Sequence, residues 1–264
     1  MRSLPIAAFI LLLTACGPAG RAPSPLPEVL RLPPGEVSYQ PPGEALRAGL
    51  PVTPAPLTAR YPRGLSIMKR QVSQAEYAAC VQEGGCRPLD AAQRQSVARD
   101  LPAVGISWTD ASAYAAWLSA RTGRRWRLPT YPEWAYAAGE AYREELRLPD
   151  GDDPAQRWLA EYDAQSRRRQ EDVEVRPFGA FGVNALGLMD MAGSVWDWTG
   201  DCHARRILDE PGAEADGGRN CGIRVAAGRH IAYLPDFIRD PKGGACSVGV
   251  PPANLGLRLV LEEG

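Results

Sequence analysis

Between Gly187 and Asp201 the chain reads GLMDMAGSVWDWTGD, and no other stretch constrains the fold as much. Asp190 and Asp197 bracket a turn-like Ala-Gly-Ser, and Trp196 and Trp198 flank the second carboxylate. A segment this apolar belongs in a core. A carboxylate is tolerated there only when it is hydrogen-bonded, paired with a cation or bound to a metal. Three readings follow: a cation site, acid–base chemistry, or carboxylates fixed in a structural turn.

The 264 residues are enough for one sizeable domain or two small ones. With 27 Gly and 25 Pro, much of the backbone is expected in loops, which need fasteners such as disulfides, metal ions or packed Trp. A net charge of −1 gives no general attraction to nucleic acid. His203 and His230 are the two histidines and lack His-x-x-x-His spacing, which disfavours a histidine-rich iron or zinc site. Nucleophile-elbow, Walker and dinucleotide fingerprints are absent from the sequence.

Residues 1–15 read as a signal peptide: one Arg, then an apolar run too short to span a bilayer. Leu13-Thr14-Ala15-Cys16 resembles the lipobox of bacterial lipoproteins, which implies cleavage before Cys16 and lipidation of its thiol. Gly17 after it implies the periplasmic face of the outer membrane. Residues 16–62 hold about half of the 25 prolines and are expected to be a tether, extended in its first part, with the later part around GEALRAGLPV reading also as an irregular edge of the domain; 63–264 is left as the folded domain. In an oxidising compartment Cys80 and Cys86 are spaced to close a small loop, and Cys202 and Cys221 to clamp a longer one. Cys246 is then left over, and other pairings stay open.

Three helix starts are marked by capping boxes, Ser73–Glu76, Ser107–Asp110 and Thr130–Glu133, with stops at Gly84-Gly85 and Gly123 for the first two. In the second helix Ala113, Ala116, Trp117 and Ala120 are expected on one face. A fourth helix is expected after Asp153-Pro154, with Arg167–Arg169 as its solvated end. Strand candidates are Leu65–Lys69, Ala103–Ile106, Ile223–Ala227 and Gly256–Leu261. Trp108, Trp117, Trp126, Trp134, Trp196 and Trp198 are expected in the core. Without repeats or a βαβ rhythm, the class is α+β with long loops.

Five segments in order, QVSQAEYAACV, LPAVGISWTDASAYAAWLSARTGRRWRLPTYPEWAYAA, NALGLMDMAGSVWDW, GIRVAAGR and PPANLGLRLV, together resemble the formylglycine-generating enzyme (sulfatase-modifying factor) family. The resemblance implies that family's irregular, loop-rich variant of the C-type-lectin-like fold. It also implies a calcium ion held by the side chains of Asp190 and Asp197 and the carbonyls of Gly193 and Val195, with Asp197 standing where the family has Glu. Carboxylates plus turn carbonyls are the hard oxygens calcium takes. The other reading is that Asp190 caps a turn and Asp197 pairs with an Arg.

In the same family, copper(I) is held by two thiolates that follow the motif read here as Arg224–His230. The matching positions fall at about Tyr233 and Ile238, which disfavours copper and formylglycine generation. Arg229, His230, Tyr233, Asp236 and Arg239 are expected to fill that pocket. Either His230 and Tyr233 are catalytic and the Arg residues clamp an anion, or ion pairs merely hold a loop. The expected function is a lipid-anchored accessory or maturation factor that binds an envelope protein or a small ligand, on the membrane through Cys16 and without nucleic acid. The alternatives are an oxidoreductase similar to pyoverdine-maturation relatives and a calcium-stiffened scaffold. The Gly-Arg-His and Asp-Phe-Ile-Arg-Asp wording further resembles the branch associated with copper nitrite reductases in denitrifying bacteria.

Overall fold

The computed structural model describes residues 26–91, 97–143, 174–210, 213–241 and 251–263, with the pairs 155–156, 159–160 and 162–163. In chain order the strands are β1 (Val29–Leu32), β2 (Gly35–Tyr39), β3 (Glu44–Arg47), β4 (Leu50–Val52), β5 (Leu57–Tyr61) and β6 (Leu65–Met68). Helices α1 (Gln74–Gln82) and α2 (Trp108–Thr122), strand β7 (Trp126–Arg127) and helix α3 (Tyr131–Ala138) come next. Then follow β8 (Trp196–Glu210), β9 (Ala213–Ala227), β10 (Ile231–Pro235), β11 (Leu255–Gly256) and β12 (Val260–Leu261). The α+β, loop-rich class is the one expected.

All three capping boxes form, at Ser73, Ser107 and Thr130, each with the side chain and backbone bonds reciprocated. Gly123 closes α2 in the left-handed region, at φ 65°. The buried face of α2 differs from the expected one: Ala111, Tyr114, Ala115 and Leu118 are buried, whereas Ala116 and Ala120 are exposed. Small side chains do not mark a face. Trp117, half-buried, instead lies over Gly85 at the domain's rim and donates to Glu83. The fourth helix falls largely outside the described residues, as do Arg167–Arg169, Cys16, Cys246 and residues 1–15; the described pairs 155–156, 159–160 and 162–163 are helical. Among the described residues no helix is long and apolar enough to cross a membrane.

The tether expected over residues 16–62 is a correction, because β1–β5 belong to the domain. β1 pairs antiparallel with β6, β3 pairs parallel with β8, and β2 pairs antiparallel with β5 in a two-stranded sheet of their own. Tyr61 of β5 stacks on Tyr136 at 4.7 Å, and the Tyr136 hydroxyl donates to Pro33 O at 2.6 Å. Prolines punctuate short strands here, and Pro51 sits in the edge strand β4 where a missing N–H is tolerated.

One sheet runs β1-β6-β12-β7 and the larger one β10-β9-β8-β3-β4, with β11 alongside β8. Two apolar clusters share them. Trp126, Trp196, Trp198, Leu255, Leu257, Leu259 and Leu261 join α1 and α2, while Leu32, Ile67, Trp134, Leu188, Val225 and Val260 join α3. Successive side chains of an extended chain alternate between faces, so LGLRLVL sends all four leucines, at every second position, into the first cluster and Val260 into the second. Each such leucine contributes ~1.5–3 kcal/mol by burial. The expected terminal strand is broken into β11 and β12 at Leu257–Leu259, whose carbonyls at Leu257 and Leu259 accept from Val72 and Met68. Ala103–Ile106 is buried but is not a strand; its N–H groups at Ala103 and Ile106 bond to Val72 and Leu255.

Both expected disulfides are present, Cys80–Cys86 after α1 and Cys202–Cys221 across β8 and β9. Trp126, Trp134, Trp196 and Trp198 are buried, but Trp108 and Trp117 are half-buried. Gly228 lets the backbone pass against Trp196: a Cβ there would lie 2.6 Å from three ring carbons. Gly228→Ala is therefore expected to lower stability by about 1–3 kcal/mol in urea denaturation, since the buried ring has no room to move. An unchanged midpoint would contradict this packing.

Candidate functional site

The turn before β8 is built around two carboxylates. Asp190 adopts φ 56°, and its side chain accepts from Gly179 N at 2.7 Å and Phe181 N at 2.8 Å. Its carbonyl accepts from Gly193 N at 3.0 Å. Asp197 is 1% exposed; its Oδ2 accepts from Arg258 Nε at 2.6 Å and Trp134 Nε1 at 3.0 Å. Both carboxylates are thus held by protein donors, as the turn-and-Arg reading requires.

Acceptor capacity remains. Asp197 Oδ1 is buried with no hydrogen-bond partner among the described residues. Asp190, Gly193, Ser194 and Val195 line a cavity of about 10 Å³, beside the buried Gln71 and beside Arg176, which pairs with Glu174. That volume takes one water or one bare ion. Among the described residues no three His, Cys, Asp or Glu side chains cluster, so a cation here must take backbone carbonyls as well. Asp190 is the one carboxylate among the residues lining this void, and Asp197, paired with Arg258, is not among them; a hard cation here would draw on Asp190 and on backbone oxygens of the turn.

The five residues expected to share a pocket have separate partners. Arg229 Nε donates to Ala192 O at 2.9 Å, and its guanidinium lies over Phe181. His230 is 5% exposed, edge-on to Trp196 at 5.0 Å, and its carbonyl accepts from Trp196 Nε1. The Tyr233 hydroxyl accepts from Gly43 N at 2.7 Å and its ring meets His203 edge-on at 5.1 Å. Asp236 O accepts from Thr109 N in the first turn of α2. Arg239 forks onto Asp110 at 2.7 and 2.8 Å and also reaches Asp90. Of the five only Tyr233 lies in β10; Arg229 and His230 precede the strand and Asp236 and Arg239 follow it, so each meets a different neighbour.

A family model, the sulfatase-modifying factor enzyme 1-like domain (FGE-sulfatase), matches residues 16–263. The chain belongs to this family. Similar proteins include the inactive C-alpha-formylglycine-generating enzyme 2 of Bos taurus, 31% identical over 170 residues, covering 59% of this chain and 54% of the relative. The formylglycine-generating enzyme of Streptomyces coelicolor is 30% identical over 168 residues, covering 60% and 51%. The chain spans about half the length of these curated relatives. Among solved structures, PvdO of Pseudomonas aeruginosa aligns with a TM-score of 0.58 at 22% identity over 90% of this chain and 95% of that one, which shows a shared fold.

Within this sulfatase-modifying-factor-like domain, three charged features escaped the sequence reading. Asp110 reads as a cap, and caps Ser107, yet it is also the buried partner of Arg239 and Arg87. Burial alone would raise its carboxyl, but the hydrogen bonds from Arg239 and Ser107 outweigh this and hold it below the ordinary carboxylate value. Asp201 accepts from Tyr131 N at 2.6 Å; burial pushes its carboxyl up, against the opposing pull of that N–H and of Thr199. Third, a cleft of about 460 Å³ is lined by Tyr61, Ser66, Arg127, Glu133, Glu262 and Glu263. Arg127 forks onto Glu133 there, 2.6 Å to each oxygen, and Glu133 also caps Thr130 as expected.

The two aspartates should respond oppositely to pH. Asp110, lowered in the fold, contributes stability above its unfolded value that is lost as pH falls through the folded one. Asp201, raised in the fold, subtracts stability as pH rises from its unfolded value through the folded one. At pH 7, Asp110→Asn is expected to cost about 2–4 kcal/mol, because the largely buried Arg239 keeps its charge. Asp201→Asn keeps an acceptor for Tyr131 N and is expected to leave Tm equal or higher. Melting curves at pH 3–8 check both; a loss for Asp201→Asn at pH 7 that matches Asp110→Asn would refute the assignment.

Proposed function

We propose that this domain is an accessory or maturation member of its family: it binds a protein or small ligand and does not generate formylglycine. The observation that carries the reading is the use made of the two positions matching the copper thiolates. Tyr233 spends its hydroxyl on Gly43 N, and Ile238 packs half-buried against the first apolar cluster. Neither side chain is a soft ligand for a cuprous ion, and residues 229–239 include no cysteine. His230, closed in beneath Trp196, lacks the access that a general base for the oxidoreductase alternative requires.

Asp190 and Asp197, with the carbonyls of Gly193 and Val195, are the residues we propose to hold calcium. A bound calcium would supply positive charge to a turn already bent by the left-handed Asp190 and so stiffen it. Asp190 positions the turn through Gly179 and Phe181, and Arg229 ties Ala192 within it, leaving the turn in one conformation for a ligand to meet. The Leu13–Cys16 wording supports anchoring through lipidated Cys16, with the domain facing the periplasm.

The test is an assay of the purified protein with copper(I), O₂ and a cysteine-containing sulfatase peptide. No aldehyde product is expected, from the native chain or from His230→Ala and Tyr233→Phe. Aldehyde formation by the native chain would overturn the proposal. Independently, calcium at about a hundred times its Kd is expected to raise Tm by about 5–10 °C over chelator-treated protein. That gain should vanish in Asp190→Ala, and a native chain indifferent to calcium would remove the metal from the account.

A further inference from the structure

The two disulfides sit in opposite environments. Cys80 and Cys86 are 0% and 8% exposed and close the end of α1 inside the first apolar cluster. Cys202–Cys221 lies on the long hairpin, with Cys221 exposed and Cys202 half-buried. The two sulfurs of this second bridge are not equivalent. Arg224 Nη1 donates to Cys202 Sγ at 3.1 Å, whereas among the described residues no Lys or Arg donates to Cys221. Arg224 is held there from below, its guanidinium 3.6 Å from the centre of the Trp108 ring, and Trp108 is fixed by Nε1 donating to Thr199 O at 2.9 Å. Arg224 Nε is buried with no hydrogen-bond partner among the described residues, so this guanidinium has unspent donor capacity beside a neutral sulfur. The strand register also shifts on both sides of Cys202, between Trp198 and Cys202 and between Cys202 and His203. Such bulges re-aim side chains and are common next to reactive sites.

Arg224 is half-buried and its Nη1 also reaches Gly200 O at 3.4 Å, so a neutral sulfur adds little to what water and that carbonyl already give it. Beside a thiolate it gains a charge-assisted bond. We propose that Cys202–Cys221 is a thiol–disulfide exchange site, with Cys221 as the attacked sulfur and Cys202 as the leaving thiolate held by Arg224. An incoming cysteinyl thiolate attacks exposed Cys221 Sγ along the S–S axis and forms a mixed disulfide with it. The Cys202–Cys221 bond breaks, and its electron pair stays on Cys202 Sγ, where Arg224 already donates. A leaving thiol of lower pKa leaves faster, and a neighbouring guanidinium lowers it. If the attacking group belongs to a dithiol, its second thiolate then attacks the mixed disulfide. The partner leaves oxidised, and Cys202 and Cys221 are left reduced. The co-reactant is therefore a thiol or dithiol, and no metal or external oxidant enters the exchange. This inference stands apart from the proposed function: it uses neither the calcium turn nor the residues 229–239.

The test uses the oxidised, full-length protein and glutathione at pH 7.5, with adducts trapped by acid and located by peptide mass spectrometry. The expected result is glutathionylated Cys221 in roughly tenfold or greater excess over Cys202, with Cys80–Cys86 unmodified. Arg224→Gln is expected to slow adduct formation about three- to tenfold, and Arg224→Lys to restore most of the rate, because the charge and not the stacking is at issue. Equal labelling of the two sulfurs, labelling confined to Cys202, a bridge as inert as Cys80–Cys86, or an unchanged rate in Arg224→Gln would each overturn the proposal. The distribution of adducts in the unsubstituted protein needs no variant to fold, so it decides even where Arg224→Gln does not express.

Discussion

Everything in this domain hangs from the ion pair of Asp197 and Arg258, 2.6 Å apart with side chains 1% and 0% exposed. Two charges taken out of water cost several kcal/mol each, and the pair repays this only if further donors and acceptors surround it. Trp134 Nε1 adds a second bond to Asp197, and Arg258 Nη2 reaches Met189 O at 3.1 Å. One interaction thereby joins three segments distant in sequence: α3, the stretch from Met189 to Asp197 that enters β8, and the closing stretch of the chain. β11 runs parallel to β8 beside it, with Gly256 opposite Asp197. The strand alternation then follows: because Asp197 and Arg258 turn to one side, Trp196, Trp198, Leu257 and Leu259 must turn to the other, into the first apolar cluster.

That arrangement explains how a chain so rich in Gly and Pro keeps a defined turn at 189–195. Polar groups that surface loops would give to water are here tied back, Asp190 to Gly179 and Phe181, Ala192 to Arg229, Ser194 to Glu174 and Asn254. The functional surfaces sit around this frame. The turn is one; the long hairpin of β8 and β9, which leaves the frame at Gly200 and carries an exposed disulfide, is another.

Local features were legible in the sequence. Capping boxes act over four residues, so Ser73, Ser107 and Thr130 announced their helices, and the spacing of Cys80 and Cys86 announced a small closed loop. What failed depended on distant partners. Pro-rich residues 29–61 join the sheets because β6 and β8 offer edges, a fact absent from the segment itself. Asp110 looked like a cap because Arg239, 129 residues away, carries no mark of its destination. The resemblance to the family placed Asp190 and Asp197 together, yet nothing local named Arg258 as the partner of Asp197. The residues 229–239 read as one pocket because the resemblance set them at the family's copper site; they flank the short strand β10 rather than share one face, and so meet different partners.

The central claim is that Asp197 and Arg258 act as a unit, and a double-mutant cycle measures this directly. Urea denaturation of Asp197→Asn, Arg258→Met and the double variant yields their coupling. A buried pair on which three segments depend predicts a coupling of about 2 kcal/mol or more, with the double variant far less destabilised than the sum of the two single ones. Costs that add to within about 0.5 kcal/mol would mean that the two residues stabilise the fold separately, and would contradict the account.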